Sequence, residues 1–495
     1  MIKYHYLLIF LCCTWLCACQ ENVPEGPLPT IAWEETSGRF RIATGEALTL
    51  VPLVGNTDKQ TTYTWTQADE IVCKDSIYTF CSPTAGTYFI ALHVSNAFGT
   101  ASDEIKITVN QRNEEADNPQ LPANDSLFRW YFPQTEYNIS KGRSVRIRPY
   151  LIENGEGMTY AWTLDGTAVE DTADCQSYVF NAVEEGTYQL QLTAQKDTIV
   201  HIKNFRLTVC PPEGTFRRER QPNSSAEVNR IHAYRPAPGF MVNGYKLIGR
   251  TFPLGCTHEE ACDTVLSHLR NRWMISLGGW GGYLIAGFDH SITNTGGDYE
   301  ICIKGNPFNY QSEPGIIWVS QDSNGDGQPN DVWYELAGSE YGSENHKTEY
   351  AVTYYRPSQS YSATIWKDCH GNSDIIPYMS YWNPEPSYWQ EWMEGDRYTF
   401  CGSWLKSHHT YQNGIAHLPP YAWGYADNDG NDMVQTTEGK AGVYKISNAR
   451  NWDGTPIHLE YIDFVKVQTA QTGYTPNLGE ISTEIYFIGD YQMMQ

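Results

Sequence analysis

Positive charge is what this chain has least of. Across 495 residues, 34 Lys and Arg stand against 58 Asp and Glu, a net charge of −24 at pH 7. Such a chain repels phosphate backbones and anionic headgroups, which argues against a nucleic-acid partner and against an electrostatic grip on lipid. Long apolar runs are also missing. After the first twenty residues nothing approaches the ~18 consecutive apolar residues of a spanning helix, so no later segment reads as a membrane helix. Helical periodicity is confined to 259–271, where Val265, Leu266 and Leu269 share a face and Thr257 stands as the cap. The chain has no Gly-x-Ser-x-Gly elbow, no His-Glu-x-x-His and no Walker loop, so the common hydrolase, zincin and nucleotide signatures are excluded. After the N-terminal segment no cysteines stand in a CxxC pair, which argues against structural zinc.

What is present begins at the N-terminus. Lys3 precedes an apolar run from Leu7 to Leu16 that exits through Leu16-Cys17-Ala18-Cys19. The run is too short to span and has the positive flank and small-residue exit of a secretory peptide. It reads as a lipoprotein signal, residues 1–18, with Cys19 lipidated and 19–30 a proline-bearing linker. The folded part is then extracytoplasmic and meets a membrane only through that lipid. Of thirteen cysteines, Cys12, Cys13 and Cys17 leave with the signal and Cys19 carries the lipid, so nine remain. Cys73 with Cys81, and Cys256 with Cys262, are spaced to bridge; the others have no obvious partner.

An internal repeat organises the first half. Tyr63-Thr64-Trp65 and then Gly86-Thr87-Tyr88 recur as Tyr160-Ala161-Trp162 and Gly186-Thr187-Tyr188, each copy closing in an alternating strand. One Trp in a central strand, a Gly-Thr-Tyr turn two thirds along and short runs split by Gly, Asn and Asp turns predict a seven-stranded sandwich. The domains run over 31–110 and 125–210, with linkers at 111–124 and 211–225, the second read as a hinge around Arg217, Arg218 and Arg220. These segments resemble PKD-type and related immunoglobulin-like domains, although Trp65 and Trp162 lack the acidic residues that usually follow.

Residues 226–495 are dense in Gly, Trp and Tyr. Candidate strands at 273–277, 283–288, 299–304, 316–320, 332–336, 350–356, 461–467 and 481–488 predict a jelly-roll-like β-sandwich. The fold class is therefore all-β: two immunoglobulin- or PKD-like sandwiches and a larger third domain. Between two of those strands lies Asp322-Ser323-Asn324-Gly325-Asp326-Gly327-Gln328-Pro329-Asn330-Asp331. Oxygens at alternate positions followed by Gly match the first half of a calcium loop. Trp333 holds the twelfth position, where an EF-hand has Glu, so the loop is closer to thrombospondin type 3 and dockerin repeats. The metal ligands would be Asp322, Asn324, Asp326, Gln328 and Asp331, with calcium in a structural role. A second run, Asp427-Asn428-Asp429-Gly430-Asn431-Asp432, has its Gly displaced; Asp427 and Asp429 are its candidate ligands, and an acidic turn is the alternative.

Aromatics crowd 378–423. Trp382, Trp389, Trp392, Trp404 and Trp423 either form exposed platforms for a sugar face or a conjugated macrocycle, or pack as a second apolar cluster under long loops. Glu313, Glu391, Glu394 and Asp396 are the carboxylates available for glycoside cleavage, and isolated acids in so acidic a chain read as solvated surface.

The lipobox, the tandem sandwiches, Gly305-Asn306-Pro307-Phe308, Glu313-Pro314-Gly315-Ile316-Ile317-Trp318-Val319-Ser320, the Asp/Asn loop running into Trp333-Tyr334-Glu335-Leu336-Ala337-Gly338-Ser339, and Ile462-Asp463-Phe464-Val465-Lys466-Val467-Gln468 together resemble a family of Bacteroidota cell-surface lipoproteins. Similar lipoproteins accompany TonB-dependent transporters for cobalamin and for glycans. The resemblance implies a non-catalytic protein, lipid-anchored on the outer membrane and exposed at the cell surface. It would capture a small-molecule or glycan ligand, a corrinoid or a sugar, for such a transporter. A glycan-degrading enzyme of the same system and a surface adhesin are the alternatives.

Overall fold

A computed structural model describes residues 26–33, 39–45, 47–68, 70–110, 126–169, 175–245, 249–307, 311–379, 383, 385–412, 415–475 and 479–495. The expected signal, Cys19, the 111–124 linker and Trp382 lie outside them. The chain forms two compact units, residues 1–112 and 113–495.

The first unit holds the first sandwich. Its five-stranded sheet runs in the order Arg39–Ala43, Gly99–Asn110, Gly86–Asn96, Thr62–Gln67 and Glu70–Cys73, with the outermost first strand parallel to its neighbour. Ala47–Leu50 pairs with Tyr78–Cys81 in a separate two-stranded sheet. The alternation that predicts these strands places Trp65 wholly inside, and its indole Nε1 donates to the Asp75 carbonyl at 2.9 Å.

The second sandwich repeats this order with Glu136–Ser140, Ile199–Cys210, Gly186–Lys196, Thr159–Leu164 and Thr167–Ala168. Trp162 is buried, and its Nε1 donates to the Cys175 carbonyl at 3.1 Å. The Gly-Thr-Tyr turns do matching work. The Tyr88 hydroxyl donates to the Thr84 carbonyl at 2.8 Å and the Tyr188 hydroxyl to the Glu184 carbonyl at 2.9 Å, the corner that locks the penultimate strand of immunoglobulin-like sandwiches.

The C-terminal region carries three larger sheets. A six-stranded antiparallel sheet runs Arg230–Arg235, Tyr283–Thr293, Tyr461–Thr469, Gly315–Ser320, Trp333–Leu336 and Ala449–Arg450. A four-stranded sheet joins Met433–Thr436, Gly439–Tyr444, Ile301–Lys304 and Phe487–Asp490, and another joins Ser373–Ile376, Thr364–Asp368, His346–Tyr355 and Arg397–Leu405. The helix His258–Arg270 starts in a reciprocal capping box between Thr257 and Glu260, and it buries Ala261, Cys262, Val265 and Leu269 against the main core. Among the described residues, no helix is long and apolar enough to cross a membrane.

The second sandwich and the C-terminal region share one unit, so the second sandwich is not a free spacer. Val332 packs against the cores of both. Arg143 pairs with Glu213, and both Arg146 and Arg148 pair with Glu349, the latter at 2.9 Å. The 211–225 segment is held rather than hinged. Arg218 Nη2 donates at 2.9 Å to the fully buried Asp463 carboxylate, and the Arg218 amide donates to the Ser291 hydroxyl at 2.9 Å.

All nine described cysteines are free. Neither expected bridge forms: Cys73 stands on the edge of the five-stranded sheet and Cys81 on the separate two-stranded one, and Cys262 Sγ lies 3.6 Å from His258 Nε2.

Candidate functional site

The second sandwich and the C-terminal region enclose a cleft of about 380 Å³. Phe132, Tyr137 and Tyr150 form the sandwich wall, and Trp318, Trp333 and Tyr398 belong to the opposite side. Pairing in the six-stranded sheet fixes the floor. Lys466 stands opposite Ile285 on one side and Trp318 on the other, and Trp318 opposite Glu335. Strand alternation sends Val465 and Val467 into the core and leaves Lys466 on the cleft face.

Lys466 is embedded among rings. Its Nζ lies 5.1 Å from the ring centroids of both Tyr283 and Trp318, within cation–π range. Burial pushes its pKa down to about 8, against the opposing pull of Cys401 and Glu335. The Trp318 Nε1 hydrogen is buried and meets no acceptor. Burial likewise pushes the Cys401 thiol up to about 12.

Glu335 also lines the cleft. It accepts from the Ser403 hydroxyl at 2.6 Å and lies 2.8 Å from His346 Nε2. Ser, Glu and His are thus together in the wrong order for a nucleophile. The carboxylate stands between the hydroxyl and the imidazole, so the His is not placed to take the serine proton. Cys262 and His258 touch on the helix, but burial holds the thiol up at about 11 and the imidazole down at about 4, the reverse of an activated pair.

The Asp322–Asp331 loop presents the clearest metal geometry. Gly325 and Gly327, at φ 75° and 70°, make the left-handed turn. Asp322 Oδ2 accepts from the Gly327 amide and Asp331 Oδ1 from the Ser323 amide, each at 2.9 Å. Their other oxygens, Asp322 Oδ1 and Asp331 Oδ2, are buried without a partner. Burial raises both carboxyls above the usual range; Asp463 and Asp326 raise Asp322 further, and Asp322 and Asp326 raise Asp331. Two orphaned carboxylate oxygens in one loop fit a bound cation. Asn324 and Asp326 instead bond within the loop, Asn324 Nδ2 donating to Asp326 Oδ2 at 2.7 Å and Gln328 N to Asp326 Oδ1 at 2.7 Å. Among the described residues no three His, Cys, Asp or Glu side chains gather as a metal set.

The second acidic run is a structural turn. Asp427 accepts from the Asn306 amide at 2.7 Å and the Glu484 amide at 2.9 Å, and Asp429 pairs with Lys440. Both Asp427 oxygens and Asp429 Oδ1 are committed to these separate partners, and the run reads as an acidic turn. Asp427 instead belongs to a buried group with Glu313 and Glu484 that nothing in the local sequence announces. Burial and mutual repulsion raise the Glu313 and Asp427 carboxyls well above the usual range.

The expected tryptophan platform does not form as one surface. Trp389 is buried in the core beside the Arg397–Leu405 sheet, with its Nε1 donating to the Met393 carbonyl at 2.9 Å. Trp392 packs against two cores, and Trp404 stacks on Tyr350 with its Nε1 donating to Thr472 Oγ1 at 3.0 Å. Trp423 alone of the described four is well exposed. Aromatic density marked a packed layer, while the rings lining the cleft come from distant segments. Glu391 accepts from the Gly255 amide, and Asp396 is exposed and lies 3.6 Å from Arg397.

No protein-family model matches the chain, and no curated protein matches it. Solved structures similar over part of its length include the fibronectin(III)-like modules of Clostridium thermocellum CbhA, at 11% identity over 39% of this chain and 100% of that one, TM-score 0.16. The titin Z1Z2 domains in complex with telethonin match at 12% identity over 38% and 99%, TM-score 0.14, and the N-terminal four Ig domains of Dscam1 isoform 6.9 at 14% over 38% and 47%, TM-score 0.14. Scores this low carry no argument. Its own sheets make the chain all-β, and the repeated strand order and tyrosine corners make two of its sandwiches immunoglobulin-like.

Proposed function

We propose that this chain is a non-catalytic lipoprotein, anchored through Cys19 at the outer-membrane surface, which captures an extracellular glycan for a TonB-dependent transporter. The observation that carries the reading is the cleft between the second sandwich and the C-terminal region, walled by aromatic rings from both. Flat aromatic faces with a few polar groups suit sugar rings. At about 380 Å³ the space is near the lower end of small-ligand pockets, roughly 300–1,000 Å³. That size favours a few sugar rings over a corrinoid with its nucleotide loop.

In this reading the Asp322–Asp331 loop holds calcium through its two unpartnered oxygens, Asp322 Oδ1 and Asp331 Oδ2, while Asn324 and Asp326 tie the loop together. The ion would stiffen a loop on which the second sandwich rests: Asn138 Nδ2 donates to Asn330 Oδ1 at 2.6 Å, and Gln134 Nε2 to the Asp331 carbonyl at 3.0 Å.

The test is calorimetric titration of the unlipidated chain, residues 20–495, with a panel of neutral and acidic oligosaccharides and with cobalamin. Saturable binding of an oligosaccharide is expected. Silence across the panel from a folded chain, or binding of cobalamin alone, would contradict the glycan reading.

A further inference from the structure

The floor of the cleft carries polar groups that no part of the fold satisfies. Lys466 stands on the middle strand of the six-stranded sheet, and among the described residues its ammonium makes no ion pair; its close neighbours are the rings of Tyr283 and Trp318. A ring face attracts a cation but accepts none of its hydrogen bonds in the ordinary way. The carboxylate closest in function, Glu335, is occupied by the Ser403 hydroxyl and by His346. Beside Lys466 the Trp318 Nε1 hydrogen also lacks an acceptor. An ammonium and an indole N–H, adjacent across one strand pair, make a two-donor floor with nothing to receive it. The buried indole N–H is expensive to leave unmet, and the half-buried ammonium beside it is open to an anion in the cleft.

The charge of the lining points the same way. In a chain with a large acidic excess, this cleft is lined by four cations, Arg146, Arg148, Arg450 and Lys466, and two carboxylates, Glu335 and Glu349. Low-dielectric walls focus such a field on whatever enters.

We propose that the cleft recognises an acidic sugar, its ring face against the aromatic walls and its carboxylate received by Lys466 Nζ and Trp318 Nε1. This deepens the capture reading and rests on it. A neutral glycan would leave both donors unmet and bind correspondingly less well.

The experiment pairs acidic oligosaccharides, namely oligogalacturonates, oligoglucuronates and oligomannuronates, with the same oligomers whose carboxylates are converted to primary amides. Each is titrated into residues 20–495 at pH 7. At least one acid should bind ten times or more tighter than its amide. Lys466→Met should lose that ratio while keeping amide binding, and Trp318→Phe, which keeps the ring and drops the N–H, should lose several-fold on the acid alone.

The pH profile gives a readout that does not depend on the variants folding. Acid binding to the wild type should weaken between pH 7 and 9.5, as Lys466 loses its proton, while amide binding stays level. Of the groups around it, burial holds Cys401, Tyr283 and Tyr398 protonated through that range. The other charged side chains lining the cleft around it are Arg146, Arg148, Arg450, Glu335 and Glu349. Equal binding of acids and amides, or a Lys466→Met variant that still prefers the acid, overturns this inference and leaves glycan capture standing. Silence from both series overturns the two together.

Discussion

At the residue scale, two buried ionisable features set opposite pH dependences. Lys466 has a folded pKa of about 8 against an ordinary 10.5, so between those values the folded chain binds fewer protons than the unfolded one. Stability from this group therefore rises as pH climbs from about 8 to 10.5, and at neutral pH the full cost of the buried charge is present. Lys466→Met conserves length and removes the charge. It should raise Tm by a few degrees at pH 7, with the gain shrinking as pH climbs from about 8 to 10.5. A lower Tm at pH 7 would show that the ammonium stabilises the fold and is not held there for a ligand. Glu313, Asp427 and Glu484 behave in the other sense. Burial raises all three carboxyls, so the folded state holds protons that the unfolded chain has released, and stability falls as pH rises past the ordinary carboxylate range. Glu484→Gln should leave Tm nearly unchanged at pH 5 and raise it at pH 8; equal effects at both values would mean the group is ionised throughout.

At the scale of elements, the Asp322–Asp331 loop gives the sharpest expectation. A cation bound to the folded state at a hundred times its Kd stabilises by about 2.7 kcal/mol. Calcium added to the chelator-treated chain should raise Tm by several degrees, and Asp331→Asn should abolish most of that response; magnesium, smaller and stricter about octahedral geometry, should do less. An unchanged Tm in millimolar calcium would remove the metal from the account. This loop was legible in the sequence because its oxygens and glycines are contiguous. So were the Thr257 cap, the strands Gly315–Ser320 and Trp333–Leu336 to within a residue, and the twin sandwiches with Trp65 and Trp162 inside. The cleft was not legible. Lys466, Trp318 and Tyr150 come from separate segments and meet only through sheet pairing and the docking of the second sandwich. The 378–423 aromatics left two readings open for a related reason: a dense run of Trp and Tyr looks the same in sequence whether it faces solvent or, as Trp389 does, the core. The Asp427 run had the right oxygens, but its acceptors are spent on the Asn306 and Glu484 amides, partners far away in the chain.

At the scale of the whole molecule, the second sandwich and the C-terminal region act as one body. Ion pairs from Arg143 and Arg146, the Asn138–Asn330 contact and the shared Val332 hold them together, and the cleft exists only because both walls are present. A C-terminal fragment alone would therefore lack part of the site. Trp452 spans the two sides at the cleft lining, with its Nε1 donating to Ser144 Oγ at 3.0 Å and the Arg146 guanidinium 5.2 Å over its ring. The most direct test of the central claim is to repeat the oligosaccharide titration of residues 20–495 with Trp452→Ala beside the wild type, both shown folded. Capture in this cleft predicts a loss of ten-fold or more in affinity for whichever oligosaccharide the wild type binds; undiminished affinity would place the ligand elsewhere and contradict the account.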